Sequence, residues 1–155
     1  MRKFILLVIA LLPFVSCQED VKFNNPSFQG LRDNVFWRAV DARATIASGG
    51  ALTIKAYTAN EVVTFNTSAA KVQTYVLGTS ASNAVSYVLT NAEGSITYAT
   101  GSGFGDGQIV ITEYDAVNKT VSGSFRFNAK NTSNNPLGGP SLNFQQGIFY
   151  KIPVN

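Results

Sequence analysis

Thr120 to Lys130 alternates without a fault: Val121, Gly123, Phe125, Phe127 and Ala129 fall on one side, and Thr120, Ser122, Ser124, Arg126, Asn128 and Lys130 on the other. A period of two is that of an extended chain whose successive side chains point to opposite faces, so the stretch predicts a strand with one dry and one wet side. Such a strand satisfies its backbone groups only by pairing, and its neighbours need the same one-sided pattern. Those neighbours are present. Gln108 to Thr112 leads into it through a turn at Asp115 to Lys119. Leu142 to Ile152 follows, with Leu142, Phe144, Ile148, Tyr150 and Ile152 sharing a face and Gly147 suited to a bulge.

The same period runs upstream. Phe36 to Ile46 puts Val40, Ala42, Ala44 and Ile46 on one face. Leu52, Ile54 and Ala56 alternate with Thr53, Lys55 and Tyr57, and Glu61 to Thr67 carries Val63 and Phe65 together. Ser48-Gly49-Gly50 and Ala59-Asn60 join these stretches as tight hairpins. Shorter strands are expected at Thr74 to Leu77, Ala84 to Thr90 and Ser95 to Thr100. Thr, Val, Tyr and Phe suit a half-buried pleated surface, while Asn and Gly suit the turns. The expectation is an all-β fold: an antiparallel β-sandwich or barrel of about nine short strands, with no substantial helix after the leader.

The leader has a different pattern. Arg2 and Lys3 precede nine apolar residues, Phe4 to Leu12. That run suits a signal peptide and falls short of the roughly 20 residues that a membrane-spanning helix needs. Pro13 breaks the segment, and Phe14-Val15-Ser16-Cys17 follows. A basic start, an apolar run and a short box ending in cysteine resemble a bacterial lipoprotein signal, with Phe14 where that box usually opens with Leu. The resemblance implies cleavage after Ser16 and lipid on Cys17, so the membrane becomes a partner through that lipid. Several acyl chains on one residue would make attachment permanent, since each buried methylene contributes about 0.8 kcal/mol.

Gln18-Glu19-Asp20 resembles the acidic signal that sends some lipoproteins of the phylum Bacteroidota to the cell surface. Otherwise it is a solvated tether. The periplasmic and surface faces of the outer membrane both stay open. The organisation is thus a signal peptide at 1–16, a lipidated cysteine and tether at 17–27, and a single β domain at 28–155.

Asp33 to Ala39, Ile109 to Asp115 with Val121 to Phe127, and the ending Gly147-Ile148-Phe149 carry a further resemblance. Together they are similar to a family of small Bacteroidota lipoproteins known as a domain of unknown function, over roughly Phe28 to Val154. The resemblance implies an all-β envelope protein and brings no activity or site residues.

Several chemistries are excluded. The chain has no histidine and one cysteine, Cys17, so His-dependent triads and His/Cys zinc sites are absent. The formal charge of +3 includes Arg2 and Lys3, and no Lys or Arg residues adjoin one another after the leader. A nucleic-acid partner, which needs a basic stripe, is therefore not expected. Gly101 to Gly107 is glycine-rich but leads into a strand rather than the helix a phosphate loop requires. Its single carboxylate, Asp106, is too few for calcium.

Asp41, Glu61, Asp106, Glu113 and Asp115 are the carboxylates from which a glycosidase pair could come. Glu113 and Asp115 are two apart and read as the solvent side of a strand entering its turn. Trp37 and Tyr57 are the aromatic candidates for ligand contact; Trp37 also reads as a core anchor. No catalytic residue, metal ligand or cofactor is assigned. The expectation is a lipid-anchored, non-catalytic binding or accessory module of the cell envelope, with a glycan or an envelope protein as its partner. A glycan hydrolase and a structural assembly partner are the alternatives.

Overall fold

A computed structural model describes residues 26–155. The leader, Cys17 and the tether residues Gln18, Glu19 and Asp20 lie outside the described residues. Among the described residues eleven strands form and no helix does: β1 (Ser27–Arg32), β2 (Val35–Arg38), β3 (Asp41–Ile46), β4 (Leu52–Tyr57), β5 (Glu61–Thr67), β6 (Gln73–Leu77), β7 (Ala84–Asn91), β8 (Gly94–Ala99), β9 (Asp106–Asp115), β10 (Thr120–Asn131) and β11 (Ser141–Pro153). All pair antiparallel in one curled sheet, a half-barrel with the order β2-β1-β11-β10-β8-β7-β5-β4-β3, while β9 pairs with β10 and β6 pairs with β9.

Strand β10 holds this sheet together. Thr120 to Asn128 pair with β9, whereas Lys130 and Asn131 reach β8 on the far half. At the opposite side the curl is drawn in by a parallel bridge between Ala44 and Val154 and by the Asn155 amide on the Ala44 carbonyl, 2.9 Å. The inner face is dry. Phe28, Phe65, Phe125, Phe127, Phe144 and Phe149 are all buried there. Their rings interlock, with centroids 4.8 Å apart for Phe28–Phe125 and for Phe65–Phe125, and 5.0 Å for Phe127–Phe144. Such pairs add about 0.5–1.5 kcal/mol each beyond their area burial.

Two expectations of strand bounds and phase need correction. The stretch read as one strand from Phe36 to Ile46 is two. The Ala39 amide bonds to the Phe28 carbonyl on β1, and the next amide, Val40, bonds to Tyr57 on β4. The chain thus changes partners at this corner, and Val40 is 82% exposed instead of sharing the buried face of Ala42 and Ala44. Together with β1, which carries no clear alternation, this split raises the count from about nine to eleven.

The second correction concerns β11. Leu142 and Phe144 face inward as expected, but Ile148 faces out and Phe149 is buried. Two bulges cause the change. Gly147 and Phe144 pair with Phe125 and Phe127, leaving Gln145 and Gln146 opposite Arg126 alone. Ile152 and Phe149 pair with Val121 and Gly123, leaving Tyr150 and Lys151 opposite Ser122. One extra residue moves every following side chain to the other face. Gln146 and Lys151 have positive φ, 50° and 49°, as a residue absorbing such a bulge does. The buried Ser122 hydroxyl accepts the amide hydrogen of Lys151 at 3.0 Å, which satisfies a donor that the second bulge would leave unpaired. Gly147 itself faces inward, where the Phe125 ring occupies the space that a Cβ would need.

Candidate functional site

The alternation that buries Val63 and Phe65 also turns Glu61 inward, since the residues of one strand face recur every second position. Glu61 is the one buried carboxylate among the described residues. Its Oε2 accepts from Trp37 Nε1 at 2.7 Å and from Thr58 Oγ1 at 3.0 Å. Its Oε1 accepts from Arg32 Nη1 and from the Tyr87 hydroxyl. Arg32 also donates to the Tyr87 oxygen at 2.7 Å, with its guanidinium carbon 5.8 Å from that ring centre. Two donors on each oxygen fill the four lone-pair positions that a carboxylate offers.

Burial by itself would raise the Glu61 carboxyl. Hydrogen bonds from Tyr87, Trp37 and Thr58, with the charge of Arg32, outweigh it and hold the group below its ordinary range. Burial and the bond to Glu61 push the Tyr87 hydroxyl well up. Arg32 and Trp37 come from the β1–β2 hairpin, while Thr58, Glu61 and Tyr87 come from β4–β5 and β7. The cluster therefore ties one end of the curled sheet to the other across its interior. Its chemistry is that of a cross-link, because no oxygen of Glu61 is left to take a proton from a ligand.

Trp37 is 6% exposed, and its ring meets Phe28 and Phe144 edge-on at 6.1 and 5.5 Å. Of the two roles weighed for it, this is the placement of a core anchor; a stacking platform would need a free ring face. Tyr57 lies half-buried at the end of β4 on the outer face, so the two aromatics are not brought together. The remaining carboxylates are likewise separated by their partners. Asp41 pairs with Arg43 at 2.9 Å, Asp106 accepts from Asn128, and Glu113 is exposed. Asp115 caps its turn, receiving the amides of Asn118 and Val117, each at 2.9 Å, and the Asn118 side chain at 2.6 Å; the Asn118 amide leads in holding its carboxyl below the ordinary value. Among the described residues, no three acidic or cysteine side chains gather as a metal site would require.

The outer face of β9, β10 and β11 carries a second polar network. Asn128 Nδ2 donates to Asp106 Oδ1 at 2.7 Å, Asn143 Nδ2 to Asn128 Oδ1 at 2.6 Å, and Gln145 Nε2 to Asn143 Oδ1 at 2.8 Å. Arg126 Nη2 lies 3.4 Å from Gln108 Oε1. Asp106, Arg126, Asn128, Asn143 and Gln145, with the bulged Gln146, border an open groove of about 440 Å³. The wet side of β10 was legible from its alternation. The amide ladder was not, because Asp106, Asn128 and Asn143 are distant in sequence and meet only through strand register.

An all-β half-barrel with a saturated buried carboxylate and a polar outer groove is the class of domain that this geometry defines. The chain belongs to the family described as Domain of unknown function (DUF6252), whose profile matches residues 24–153. No curated protein and no solved structure matches it.

Proposed function

We propose that this chain is a non-catalytic binding module held at the bacterial outer membrane by lipid on Cys17. The observation that carries the binding part is the contrast in hydrogen-bonding capacity. The inner carboxylate has none to spare, whereas the outer ladder keeps free donors and acceptors facing solvent beside a groove. The anchoring part is supported by the basic, apolar and cysteine-terminated leader, and Gln18-Glu19-Asp20 sets which face of the membrane the domain occupies. A structural partner of an envelope complex is the second reading, favoured by Phe36, Val76 and Ile148, which are 63%, 52% and 49% exposed.

Metabolic labelling with palmitate, followed by membrane fractionation, tests the anchor. The full chain should take up label and sediment with outer membranes, while Cys17→Ala should stay unlabelled and leave the membrane fraction. Equal behaviour of the two would sink the anchored reading. Release of reducing ends from a polysaccharide, lost on changing a carboxylate, would sink the non-catalytic part.

A further inference from the structure

We propose that the outer face of β9, β10, β11, β1 and β2 binds an uncharged oligosaccharide laid across the strands. This names the ligand of the exposed ladder and so rests on the binding-module reading. The argument starts from register, because residues paired across antiparallel strands point to the same side.

Arg126 pairs with Gln108 on one side and faces the Gln145–Gln146 bulge on the other; Gln145 pairs with Leu31, and Leu31 with Phe36. These residues form one outward row over five strands. From Arg126 to Phe36 the row crosses three strand spacings, roughly 14 Å at about 4.8 Å each. Asp106, Asn128 and Asn143 form a second row two residues along, and the groove of about 440 Å³ lies between them. That volume is within the range of about 300–1,000 Å³ usual for small-molecule sites.

The chemistry of the rows selects the ligand. The ladder bonds all run in one direction, from Gln145 through Asn143 and Asn128 to Asp106. Asn128 therefore spends one N–H and one oxygen lone pair and retains one of each, in a fixed orientation, whereas Asn143, whose amide nitrogen also reaches the Phe127 carbonyl at 3.5 Å, retains an oxygen lone pair. Asp106 keeps its second oxygen, and Arg126 keeps most of its five N–H donors. A surface of alternating fixed donors and acceptors matches neighbouring sugar hydroxyls, each of which both donates and accepts. An apolar peptide would leave these groups unpaired, at the cost of their desolvation. The opposite charges of Asp106 and Arg126 give neither an anion nor a cation a clear advantage. At the end of the first row Phe36 is 63% exposed, which offers the apolar face of a further sugar ring an aromatic to rest on.

Affinity electrophoresis of the full chain in a non-ionic detergent tests this, using gels cast with a β-glucan, an α-mannan, a xylan or a galactan. At least one should retard the protein. Arg126→Ala and Asn128→Ala should each weaken that retardation about tenfold, the worth of a charged or fixed hydrogen bond. Phe36→Ala should weaken binding of long oligosaccharides and spare disaccharides, and Tyr57→Ala should change nothing. Circular dichroism confirms that the variants are folded.

Free migration in all four gels, or retardation unchanged in the Arg126→Ala/Asn128→Ala double variant, overturns the proposal. Equal sensitivity of long and short sugars to Phe36→Ala overturns the path across β1 and β2. The two readings fail separately. A chain that binds no sugar but stays on the membrane through Cys17 sinks only the oligosaccharide. A chain that binds through Arg126 and also cleaves the polymer supports this site and sinks the non-catalytic reading.

Discussion

Two hydrogen-bonded networks cross this sheet, one inside its curl around Glu61 and one outside it around Asn128. Both join strands far apart in sequence, and both are built from polar side chains at strand positions. They differ in what surrounds them. The inner network sits in a low-dielectric core, where an unpaired polar group is costly and a paired one is strong. The outer network competes with water for every bond, so its bonds contribute little to stability while its geometry stays available to a ligand. The contrast teaches that the inner cluster holds the fold and the outer ladder is free to bind.

Breaking the inner network should give the largest effect. Glu61→Ala leaves Trp37 Nε1, the Tyr87 hydroxyl and the Arg32 guanidinium without their acceptor, and should cost about 3 kcal/mol of unfolding free energy in a urea titration. A loss below about 1 kcal/mol, the size of an ordinary surface bond, would erase the distinction. Gly147→Ala comes next. Its methyl must displace the Phe125 ring from the inside while also loosening the bulge that borders the outer groove, a disturbance worth about 1–3 kcal/mol.

Acid should separate the networks further. The folded Glu61 carboxyl titrates below its ordinary range, so its contribution is fully present above that range and is lost as pH falls through the folded value. Glu61→Gln should be less stable at neutral pH and should lack the part of the acid limb that belongs to this group. At the alkaline end, Tyr87 keeps its proton in the folded state while tyrosines of the unfolded chain ionise near pH 10. Stability should therefore fall above that pH, and less so in Tyr87→Phe. Parallel pH profiles of the wild type and both variants would contradict the assignment.

The smallest stability effect belongs to the ladder. Asn128→Ala and Arg126→Ala should shift unfolding free energy by no more than about 0.5 kcal/mol, as surface substitutions usually do. A cost comparable to Glu61→Ala would make the ladder a second structural cross-link and remove the contrast.

Where strands were regular, the sequence was a good guide. The inner face of β10 is the one its alternation predicted, and the same period turned Val63, Phe65, Val85 and Tyr87 inward. Glu61 lies in phase with Val63 and Phe65, so its burial could have been read from the same pattern. Its partners could not, because Arg32, Trp37, Thr58 and Tyr87 converge only when the sheet curls. The phase of Ile148 and Phe149 was lost at the two bulges, which insert a residue without any break in composition, and Val40 was misplaced because a corner can keep the period of a strand.

The amino-acid sequence therefore determined the all-β class, the dry and wet sides of its regular strands, and the absence of histidine chemistry, because these depend on residue type and on a period of two. Tertiary structure decided the count of eleven strands, the saturation of Glu61 and the assembly of the outer ladder. The physical reason is that register, bulges and curl are set by which strands pair, and pairing brings together residues that local pattern leaves far apart.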